Sequence, residues 1–559
     1  MKLKNSKAFT IIELIVVIAI LGILVLLAGP RLLGYVEKAE LARIQHDVKV
    51  MENKMAEVLT TDDEFNKWEN NSKDFNQLIK ENRLFEKKGV AKKIESIDKT
   101  YKVIPEKYKD KINTKLKGTF YANSGGKVYY EHEKPLSEIP AEPEIPAEPE
   151  KEPVYSDEEI QDLIDNDFIP VATAEELNNV RNATLETYGK GTKWVGEYTG
   201  GLDKKYIQVA NVDLSGYSEG EGWVPIGDEN SKFTGSFDGN GYKITGLIID
   251  KPGTKYIGLF GYTEGATIEN VALEDINVNG GDYTGGLVGK TSNSTIIKDS
   301  YATGSVTSEG SGGVGGLVGW AYGSTISNSY ATGKVSGEGF TGGLVGWTSE
   351  STIIKDSYAT GSVTSEGSRT GGLVGSAYSS TITNSYATGE VTSTGDYTGG
   401  LVGRASESTI TNSYATGAVT DKGNYVKYVG GLVGEAENLT IENSYATGSV
   451  VRGTGNYTGG LVGRASGSTI TNSYATGEVT STGNFTGGLV GSAVSSTTIT
   501  NSYWDTETTR QTKSAGGEGV IGKITEEMKK QITYKGWDFE NTWEIEEGQS
   551  YPTLKNIAN

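Results

Sequence analysis

The chain has no cysteine and only two histidines, and these absences exclude several kinds of site. Without cysteine there is no disulfide framework and no thiolate metal site, so an extracellular portion depends on its core for stability. His46 and His132 both precede residue 135, which excludes a Ser-His-Asp triad or a histidine metal site from the repetitive remainder. We expect no metal and no cofactor. The net charge of −20, with the acidic excess after residue 135, argues against a nucleic-acid partner, because such binding depends on Lys and Arg.

Proline is also scarce, and half of the twelve prolines fall between residues 135 and 153. They alternate there with glutamate in Pro-Ala-Glu-Pro-Glu-Ile-Pro-Ala-Glu-Pro. Regularly spaced proline with charged neighbours favours extended polyproline II, with about 3.1 Å per residue. We therefore predict that residues 135–156 form a semi-rigid stalk between two folded parts.

Charge is nearly absent from residues 9–30, where Glu13 is the only charged side chain. A carboxylate inside a membrane-length segment costs about 2.5–3.5 kcal/mol or more, so it is expected only where it has a role. The apolar run reaches the roughly 17–25 residues that span a bilayer, and no A-x-A site closes it, unlike a secretory signal peptide. Lys2, Lys4 and Lys7 form a short basic leader before it.

The basic leader, the small residue Ala8, Phe9 and a glutamate four residues later resemble the type III signal of type IV pilins and type II secretion pseudopilins. The resemblance implies that a prepilin peptidase cuts between Ala8 and Phe9, and that Phe9 becomes the methylated mature N-terminus. It also implies that Glu13 pairs with the N-terminal amine of a neighbouring pilin subunit, which makes a buried carboxylate tolerable. Gly22 and Pro30 match positions where pilin helices bend. The usual residue before the cut is Gly, so Ala8 is expected to slow processing.

The first part of the chain then divides into three segments. We predict a leader over residues 1–8 and a transmembrane and assembly helix over residues 9–60, because an apolar stripe at helical spacing continues beyond the membrane-length run. Residues 61–134 are predicted to form a small α+β head. This head includes a β-hairpin that turns at Asn123–Gly126.

Glycine is abundant after the stalk, where the chain becomes repetitive. Gly-Gly-Leu-Val-Gly recurs at intervals of 27 to 31 residues, starting at Gly285, Gly315, Gly342, Gly371, Gly399, Gly430, Gly459 and Gly487. Between these copies, Ser-Thr-Ile-Thr-Asn-Ser-Tyr-Ala-Thr-Gly and its variants alternate polar and apolar residues, as strands do, and show no helical stripe. Repeats of 20–50 residues are typical of solenoids, propellers and arrays. Propeller blades need about 40–50 residues, so this period favours a solenoid coil.

These repeats resemble the GLUG motif family of bacterial surface proteins, as do Trp223-Val-Pro-Ile-Gly, Phe233–Gly241 and Tyr503-Trp-Asp-Thr-Glu. The resemblance implies a mainly β fold, a parallel β-solenoid of about nine coils stacked at roughly 4.8 Å per coil. Identical Leu, Ile, Val and Asn residues would form ladders along it. The predicted segments are an N-terminal cap with the first coils at 157–284, the repeat solenoid at 285–503 and a C-terminal cap at 504–559.

One position in the repeat varies between charged, aromatic and small residues. It follows Gly-Gly-Leu-Val-Gly, and its variation predicts that it faces solvent. Trp320 and Trp347 occupy it in consecutive repeats and are predicted to stack, with Tyr322 nearby. Such aromatic pairs suit the binding of a sugar or a protein on a host surface. The alternative is an incidental aromatic ladder that covers a strand edge.

We find no convincing catalytic site, and we predict that the chain is not an enzyme. The acidic residues of the repeats occupy mostly variable turn positions, such as Glu309, Glu338 and Glu366, where solvated carboxylates are expected. The calcium-binding repeat Gly-Gly-x-Gly-x-Asp is absent from the repeats. Asp238-Gly-Asn-Gly241 is predicted to be a hairpin turn rather than a calcium loop.

The leading hypothesis is a pilin-like subunit of a surface fibre that displays the solenoid for adhesion or another cell-surface interaction. A bulky solenoid would crowd a major-pilin lattice, so a minor or tip subunit is favoured. Such a subunit is held in the cytoplasmic membrane by one N-terminal helix and is then assembled outside the cell. A pseudopilin of a type II-like secretion system is one alternative. A membrane-tethered, polysaccharide-active β-helix enzyme is the other.

Overall fold

A computed structural model describes seven stretches of the chain, in two compact units divided between residues 149 and 150. The described residues are 84–85, 102–104, 118–122, 128–132, 154–423, 428–452 and 457–555. The predicted leader at 1–8, the helix at 9–60 and nearly all of the stalk at 135–156 lie outside them. No helix among the described residues is long and apolar enough to cross a bilayer.

The first unit contains a small antiparallel sheet. Its spatial order is Leu84–Phe85, Val128–His132, Gly118–Ala122, Lys102–Val103. The two longer strands pair antiparallel, with Phe120 opposite Tyr130. The predicted hairpin would join these two strands, and its turn lies outside the described residues.

The second unit is a parallel β-solenoid of about ten turns over residues 205–504, where about nine were predicted. Each turn passes through four sheets, which we number in the order in which one coil visits them. Equivalent residues of successive coils lie opposite each other, as in Thr341 opposite Thr370 and Val345 opposite Val374. The repeated motifs therefore form ladders along the axis, as predicted.

In the repeats, each strand of sheet 1 ends at the first glycine of Gly-Gly-Leu-Val-Gly, and each strand of sheet 2 begins at its valine. Sheet 1 has eight strands: Thr284–Gly285, Gly313–Gly315, Phe340–Gly342, Arg369–Gly371, Tyr397–Gly399, Tyr428–Gly430, Tyr457–Gly459 and Phe485–Gly487. Sheet 2 has nine: Phe260–Glu264, Val288–Ser292, Val318–Tyr322, Val345–Ser349, Val374–Tyr378, Val402–Ser406, Val433–Glu437, Val462–Ser466 and Val490–Val494.

Sheet 3 has twelve strands and includes the Thr-Ile-Thr segments of the repeats: Phe168–Val171, Lys205–Gln208, Ser236–Asp238, Thr267–Glu269, Ile296–Lys298, Thr325–Ser327, Ile353–Lys355, Thr381–Thr383, Thr409–Thr411, Thr440–Glu442, Thr469–Thr471 and Thr498–Thr500. Sheet 4 has one or two strands per coil: Val212–Asp213, Lys243–Thr245, Ile248–Asp250, Ala272–Gly280, Tyr301–Ser308, Tyr330–Ala331, Lys334–Gly337, Tyr358–Ala359, Val363–Ser365, Tyr386–Ala387, Val391–Ser393, Tyr414–Ala415, Val419–Asp421, Tyr445–Ala446, Val450–Arg452, Tyr474–Ala475, Val479–Thr480, Ser502–Asp505 and Val520–Lys523.

The core of the solenoid is built from the same few apolar positions in every coil. Leu and Val of Gly-Gly-Leu-Val-Gly, Ile of Thr-Ile-Thr and Ala of Tyr-Ala all point inward, and in the coil of Leu373, Val374, Ile382 and Ala387 each is fully buried. Continuous burial across coils replaces the single compact core of a globular domain. In this cysteine-free chain, the solenoid is thus stabilised by an apolar core that continues from coil to coil.

Glycine is required where the wall of sheet 1 meets the Tyr-Ala strands. A Cβ built on Gly372 would lie 2.1 Å from the carbonyl oxygen of Gly400 and 2.9 Å from the Cβ of Ala387. Equivalent contacts of about the same length recur at Gly343, Gly400 and Gly431. The repeated glycine therefore reflects close packing of successive coils.

Asparagine and aspartate form the corner between sheets 3 and 4. Asn384, Asn412, Asn443 and Asn472 all adopt the left-handed conformation, with φ of 48° or 49°. Asn and Asp tolerate this region better than other non-glycine residues, because their short polar side chains form local hydrogen bonds. These side chains also link coils, since the Asn412 amide donates to Asn384 Oδ1 at 3.2 Å.

We expect Asn412→Val to lower the free energy of unfolding by about 1–3 kcal/mol, because a β-branched residue is strained at positive φ. Asn412→Gly removes the strain and is expected to cost much less. Urea titration followed by far-ultraviolet circular dichroism measures both. Equal losses of unfolding free energy in the two variants would show that the side-chain ladder, and not the backbone conformation, makes asparagine favourable at this corner.

A tyrosine ladder runs along sheet 4. Seven rings, from Tyr301 to Tyr474, stack with centroids 4.7–5.0 Å apart and interplanar angles of at most 9°. The C-terminal segment covers one end of this ladder. Its apolar residues form a cluster with the last tyrosines, and the Tyr474 hydroxyl donates to the Pro552 carbonyl at 2.6 Å. The cluster residues from this segment are Met528, Tyr534, Trp537, Trp543 and Leu554.

The end of the solenoid is closed by a tryptophan. Trp504 stands at the position that Ala475 occupies in the preceding coil, and its larger side chain joins the apolar core there. Beyond it, Val520–Lys523 pairs parallel with Ser502–Asp505 and covers the last edge of sheet 4. The remaining short elements of this cap are Gly517–Gly519, Thr525–Met528, Gln531–Thr533, and the antiparallel pair Trp543–Glu544 and Thr553–Leu554.

The other end carries helix Asp157–Asp165, which starts with a capping box between Ser156 and Glu159 and buries Ile160. The other elements here are helix Ala174–Asn179, the antiparallel pair Leu185–Tyr188 and Gly196–Thr199, and the short 3₁₀ turn Ser215–Tyr217. Phe168–Val171 then pairs with Lys205–Gln208 and begins sheet 3.

The predicted hairpin at Asp238–Gly241 is wrong. Asp238 ends a strand of sheet 3, and the chain resumes at Lys243 in sheet 4, so the segment is a corner of the solenoid. Asn240 and Gly241 have positive φ there. Asp238 Oδ1 accepts hydrogen bonds from the backbone N–H of Asn240 at 2.8 Å and from Nδ2 of Asn270 at 3.0 Å. Turn-forming residues thus serve a corner as well as a hairpin.

A buried ion pair interrupts the serine positions that end the Val-x-Ser strands. Asp421 and Arg452 replace serine in two consecutive coils, and both side chains are fully buried, with 3.4 Å between Asp421 Oδ2 and Arg452 Nε. Burial lowers the pKa of Arg452, and the charge of Asp421 opposes this. The pair therefore links two coils inside the solenoid wall.

A candidate ligand-binding face

Two neighbouring columns of side chains form one face of the solenoid, which we call the tryptophan face. The first column comes from sheet 2 and contains Lys290, Trp320, Trp347, Ser376, Arg404, Glu435, Arg464 and Ser492. The second follows the first strand residues of sheet 1 and contains Gly313, Phe340, Arg369, Tyr397, Tyr428, Tyr457 and Phe485. Because the coils are in register, each column is continuous along the axis.

The two tryptophans stack as predicted. The ring centroids of Trp320 and Trp347 are 4.5 Å apart with planes at 5°, and Tyr322 lies edge-on to Trp320 at 6.0 Å. The second column contributes Phe340, which meets Trp347 edge-on at 5.5 Å. Trp320 Nε1 donates to Ser349 Oγ at 3.0 Å. The indole pair is thus fixed in place by ring contacts from both columns and by one hydrogen bond.

Two cations adjoin this pair, one on either side. Lys290 Nζ lies 3.9 Å from the Trp320 ring centroid, in the coil before the tryptophans. Arg369 Cζ lies 4.3 Å from the Phe340 centroid, in the coil after Trp347. Burial lowers the pKa of the Arg369 guanidinium, and the nearby charge of Arg404 lowers it further. Among the described residues, neither cation has an ion pair or a hydrogen bond.

The cations further along the same face are neutralised. Arg404 pairs with Glu435 at 2.9 Å and also with Glu437, and Arg464 pairs with Glu435 at 2.8 Å. Burial on its own would lower the pKa of Arg404, but the hydrogen bond to Glu435 and the charges of Glu435 and Glu437 outweigh it and raise that pKa. Unbalanced positive charge is therefore confined to the part of the face around the tryptophans.

The tryptophan face is less exposed than the sequence predicted. The position after Gly-Gly-Leu-Val-Gly is half-buried at Trp320 and Trp347, and buried at Ser376, Glu435 and Ser492. The prediction that it faces solvent is wrong in this respect, because side chains of the second column lie against it. Both indole side chains remain partly exposed.

Trp320, Trp347 and Tyr322 lie together as the sequence predicts, whereas Arg369 was not among the predicted residues. The signal was present, since Arg369 breaks an otherwise mostly aromatic row at the coil after Phe340. The N-terminal residues predicted for processing and assembly lie outside the described residues; they are Ala8, Phe9, Glu13, Gly22 and Pro30. Within the described part of the chain, no three His, Cys, Asp or Glu side chains are grouped so that they could hold a metal ion.

The second unit is therefore a parallel β-solenoid built from short sequence repeats. A family model of the GLUG motif matches residues 280–307, 310–336, 366–392, 394–420, 425–451 and 454–480. The prokaryotic N-terminal methylation motif matches residues 3–29. The chain therefore carries six GLUG motifs behind an N-terminal methylation motif. The coil of Phe340–Ser365, which the GLUG model does not match, folds like the others.

Three curated proteins share part of this sequence. Halomucin of Haloquadratum walsbyi is 40% identical over 126 residues, which is 21% of this chain and 1% of halomucin. A Gly-rich membrane protein of Evansella cellulosilytica is 36% identical over 116 residues, 20% of this chain and 11% of that protein. An immunoglobulin A1 protease of Streptococcus sanguinis is 37% identical over 121 residues, 21% of this chain and 6% of that protein. The chain thus matches only a small part of each relative.

A solved structure from Bacteroides ovatus, described as a candidate immunoglobulin A1 protease, covers 70% of this chain and 93% of its own chain. It is 20% identical, with a TM-score of 0.35. At these values the likeness supports neither a shared activity nor an alignment of individual coils.

Proposed function

We propose that the chain is a minor or tip subunit of a pilin-like surface fibre, which displays the solenoid for adhesion. The N-terminal methylation motif at residues 3–29 carries this proposal, because it implies processing by a prepilin peptidase and pilin-type assembly. The motif also fits a protein that is anchored in the membrane and then exposed at the surface. The solenoid would be the displayed part.

The bulk of the solenoid supports a minor or tip position. The second unit runs from residue 150 to residue 559, which is most of the chain. A subunit of this size would crowd a lattice of closely packed pilin helices. In this proposal the solenoid binds and does not cleave, and release of sugars from a purified polysaccharide by the purified chain would contradict that part.

Replacing Glu13 with Ala is expected to lower the amount of the chain in sheared surface fibres by about tenfold or more. The reason is that Glu13 would balance the N-terminal amine of a neighbouring subunit in an apolar helix bundle, and breaking a buried pair costs about 3–5 kcal/mol. Immunoblotting of sheared and membrane fractions measures the distribution. Glu309→Ala, which removes one exposed carboxylate from a solenoid turn, is the matched control and should leave it unchanged.

A pseudopilin of a secretion system is the second candidate, because the same N-terminal motif serves both kinds of assembly. A wild-type chain that stays with the envelope after shearing, in cells that shed other pilins, would favour the pseudopilin. Recovery of the chain in the sheared fibres supports the pilin-like subunit.

A further inference from the structure

We propose that the tryptophan face between Lys290 and Arg369 binds an anionic glycan, a saccharide that bears carboxylate or sulfate groups. This inference deepens the adhesion function proposed above and rests on that function for its biological role. The binding itself is a property of the folded solenoid, and it depends on four residues on consecutive coils.

The four side chains that define the site are all hydrogen-bond donors, and none of the four is a charged acceptor. Lysine, arginine and the indole N–H are donors only. Lys290, Arg369 and the Trp347 Nε1 group make no hydrogen bond within the described part of the chain. Trp320 Nε1, in contrast, is already bonded to Ser349. A ligand rich in anionic oxygens satisfies these donors, and charge-assisted hydrogen bonds to carboxylate or sulfate are the stronger kind.

The spacing of the two cations matches a short sugar chain. Lys290, Trp320, Trp347 and Arg369 lie on four consecutive coils. Three steps of roughly 4.8 Å separate the outer two, a span of about 14 Å along the axis. This distance accommodates a short oligosaccharide whose acidic groups meet the two cations while its apolar C–H groups contact the exposed parts of the aromatic side chains between them.

The pairing of the strands favours a glycan over an acidic peptide. A peptide commonly binds a sheet by adding a strand to an open edge. The strands of sheets 1 and 2 at these coils are paired on both sides, so their backbone groups are already used. Recognition here therefore rests on side chains of a flat, aromatic and cationic surface, which suits a sugar chain lying along the axis.

The charge of this site contrasts with that of the whole chain. The chain has a net charge of −20, so an anionic ligand is repelled by most of its surface. On the tryptophan face, Arg404 and Arg464 pair with Glu435 and Glu437, whereas Lys290 and Arg369 form no ion pair with any described residue. The charge of Glu435 acts on Arg369 without forming an ion pair. The uncompensated charge marks one end of the face as the anion site.

The test is isothermal titration calorimetry of the full-length chain in detergent micelles. Oligogalacturonate supplies carboxylates, heparin oligosaccharides supply sulfates, neutral dextran is the uncharged sugar, and poly-glutamate is the acidic peptide. Binding of either acidic saccharide, with no binding of dextran or poly-glutamate, supports the proposal, and the saccharide that binds more tightly identifies the anion. The proposal is overturned if poly-glutamate binds as tightly as the acidic saccharides, or if neither acidic saccharide binds.

Variants place the site. Lys290→Gln and Arg369→Gln are each expected to weaken binding about tenfold, the effect of losing one charge-assisted hydrogen bond. Arg464→Gln is the matched control, because it removes a paired cation from the same face, and it should bind like wild type. Circular dichroism melts confirm that each variant is folded. Unchanged binding by folded Arg369→Gln contradicts the proposal.

This test is independent of fibre assembly. A wild-type chain that enters fibres but does not bind acidic saccharides removes the glycan site and leaves the pilin-like function standing. A chain that binds them and never leaves the membrane removes the pilin-like function and leaves the site standing.

Discussion

Replacing Asp421 with Ser is expected to lower the free energy of unfolding by about 3–5 kcal/mol, although serine is the usual residue at this position of the repeat. The change removes the carboxylate that faces Arg452, and both side chains are fully buried. The desolvated guanidinium then loses the charge of Asp421, and breaking a buried pair from one side carries this cost. Urea unfolding of the purified chain, followed by circular dichroism, measures it.

The double variant Asp421→Ser, Arg452→Ser is the matched control, because it restores the serine found in neighbouring coils and leaves no charge in the wall. In other coils a threonine hydroxyl donates to this serine, as Thr341 does to Ser365 at 2.9 Å. Beside Arg452, the threonine position is occupied by Val429. Adding Val429→Thr should therefore bring the unfolding midpoint close to wild type. A double variant less stable than Asp421→Ser would contradict the role of the ion pair.

Gly372→Ala is expected to be the second most damaging of these changes, with a loss of about 3 kcal/mol or more in the free energy of unfolding. The added Cβ would lie 2.1 Å from the Gly400 carbonyl oxygen, which is backbone and cannot turn away. Overpacking a tightly packed core typically costs about 1–3 kcal/mol, and a backbone clash lies at or above the upper end of that range.

Gly253→Ala provides the comparison for this prediction. No atom lies within 4 Å of a Cβ built there, and its φ is not in the left-handed region. The substitution should therefore change stability by less than about 1 kcal/mol, and a small gain is expected from the stiffer unfolded chain. Thermal melts of the two variants compare them, and equal losses would show that close approach of the coils is not the constraint.

The repeat period and its motif were sufficient to predict the solenoid. A coil of 27–31 residues allows one passage through four sheets of short strands, and identical residues at each turn predict the ladders that the structure contains. The stacking of Trp320 on Trp347 is a consequence of the same register. Features that depend only on the periodicity of the sequence were therefore predictable.

Features that depend on the course of the chain beyond one motif, or on its non-repetitive segments, were not predictable. The turn chemistry of Asp238–Gly241 is the same for a hairpin and for a solenoid corner, and only the destination of the next strand distinguishes them. The C-terminal segment packs sideways on the tyrosine ladder, a contact that no local pattern indicated.

The pilin-like role is tested most directly by mass spectrometry of the N-terminal peptide from chain recovered in sheared surface fibres. We expect a peptide that begins at Phe9, with one methyl group on its amine, because the methylation motif at residues 3–29 would direct cleavage after Ala8. A peptide that still begins at Met1, or one cut elsewhere in the apolar segment, would contradict this role.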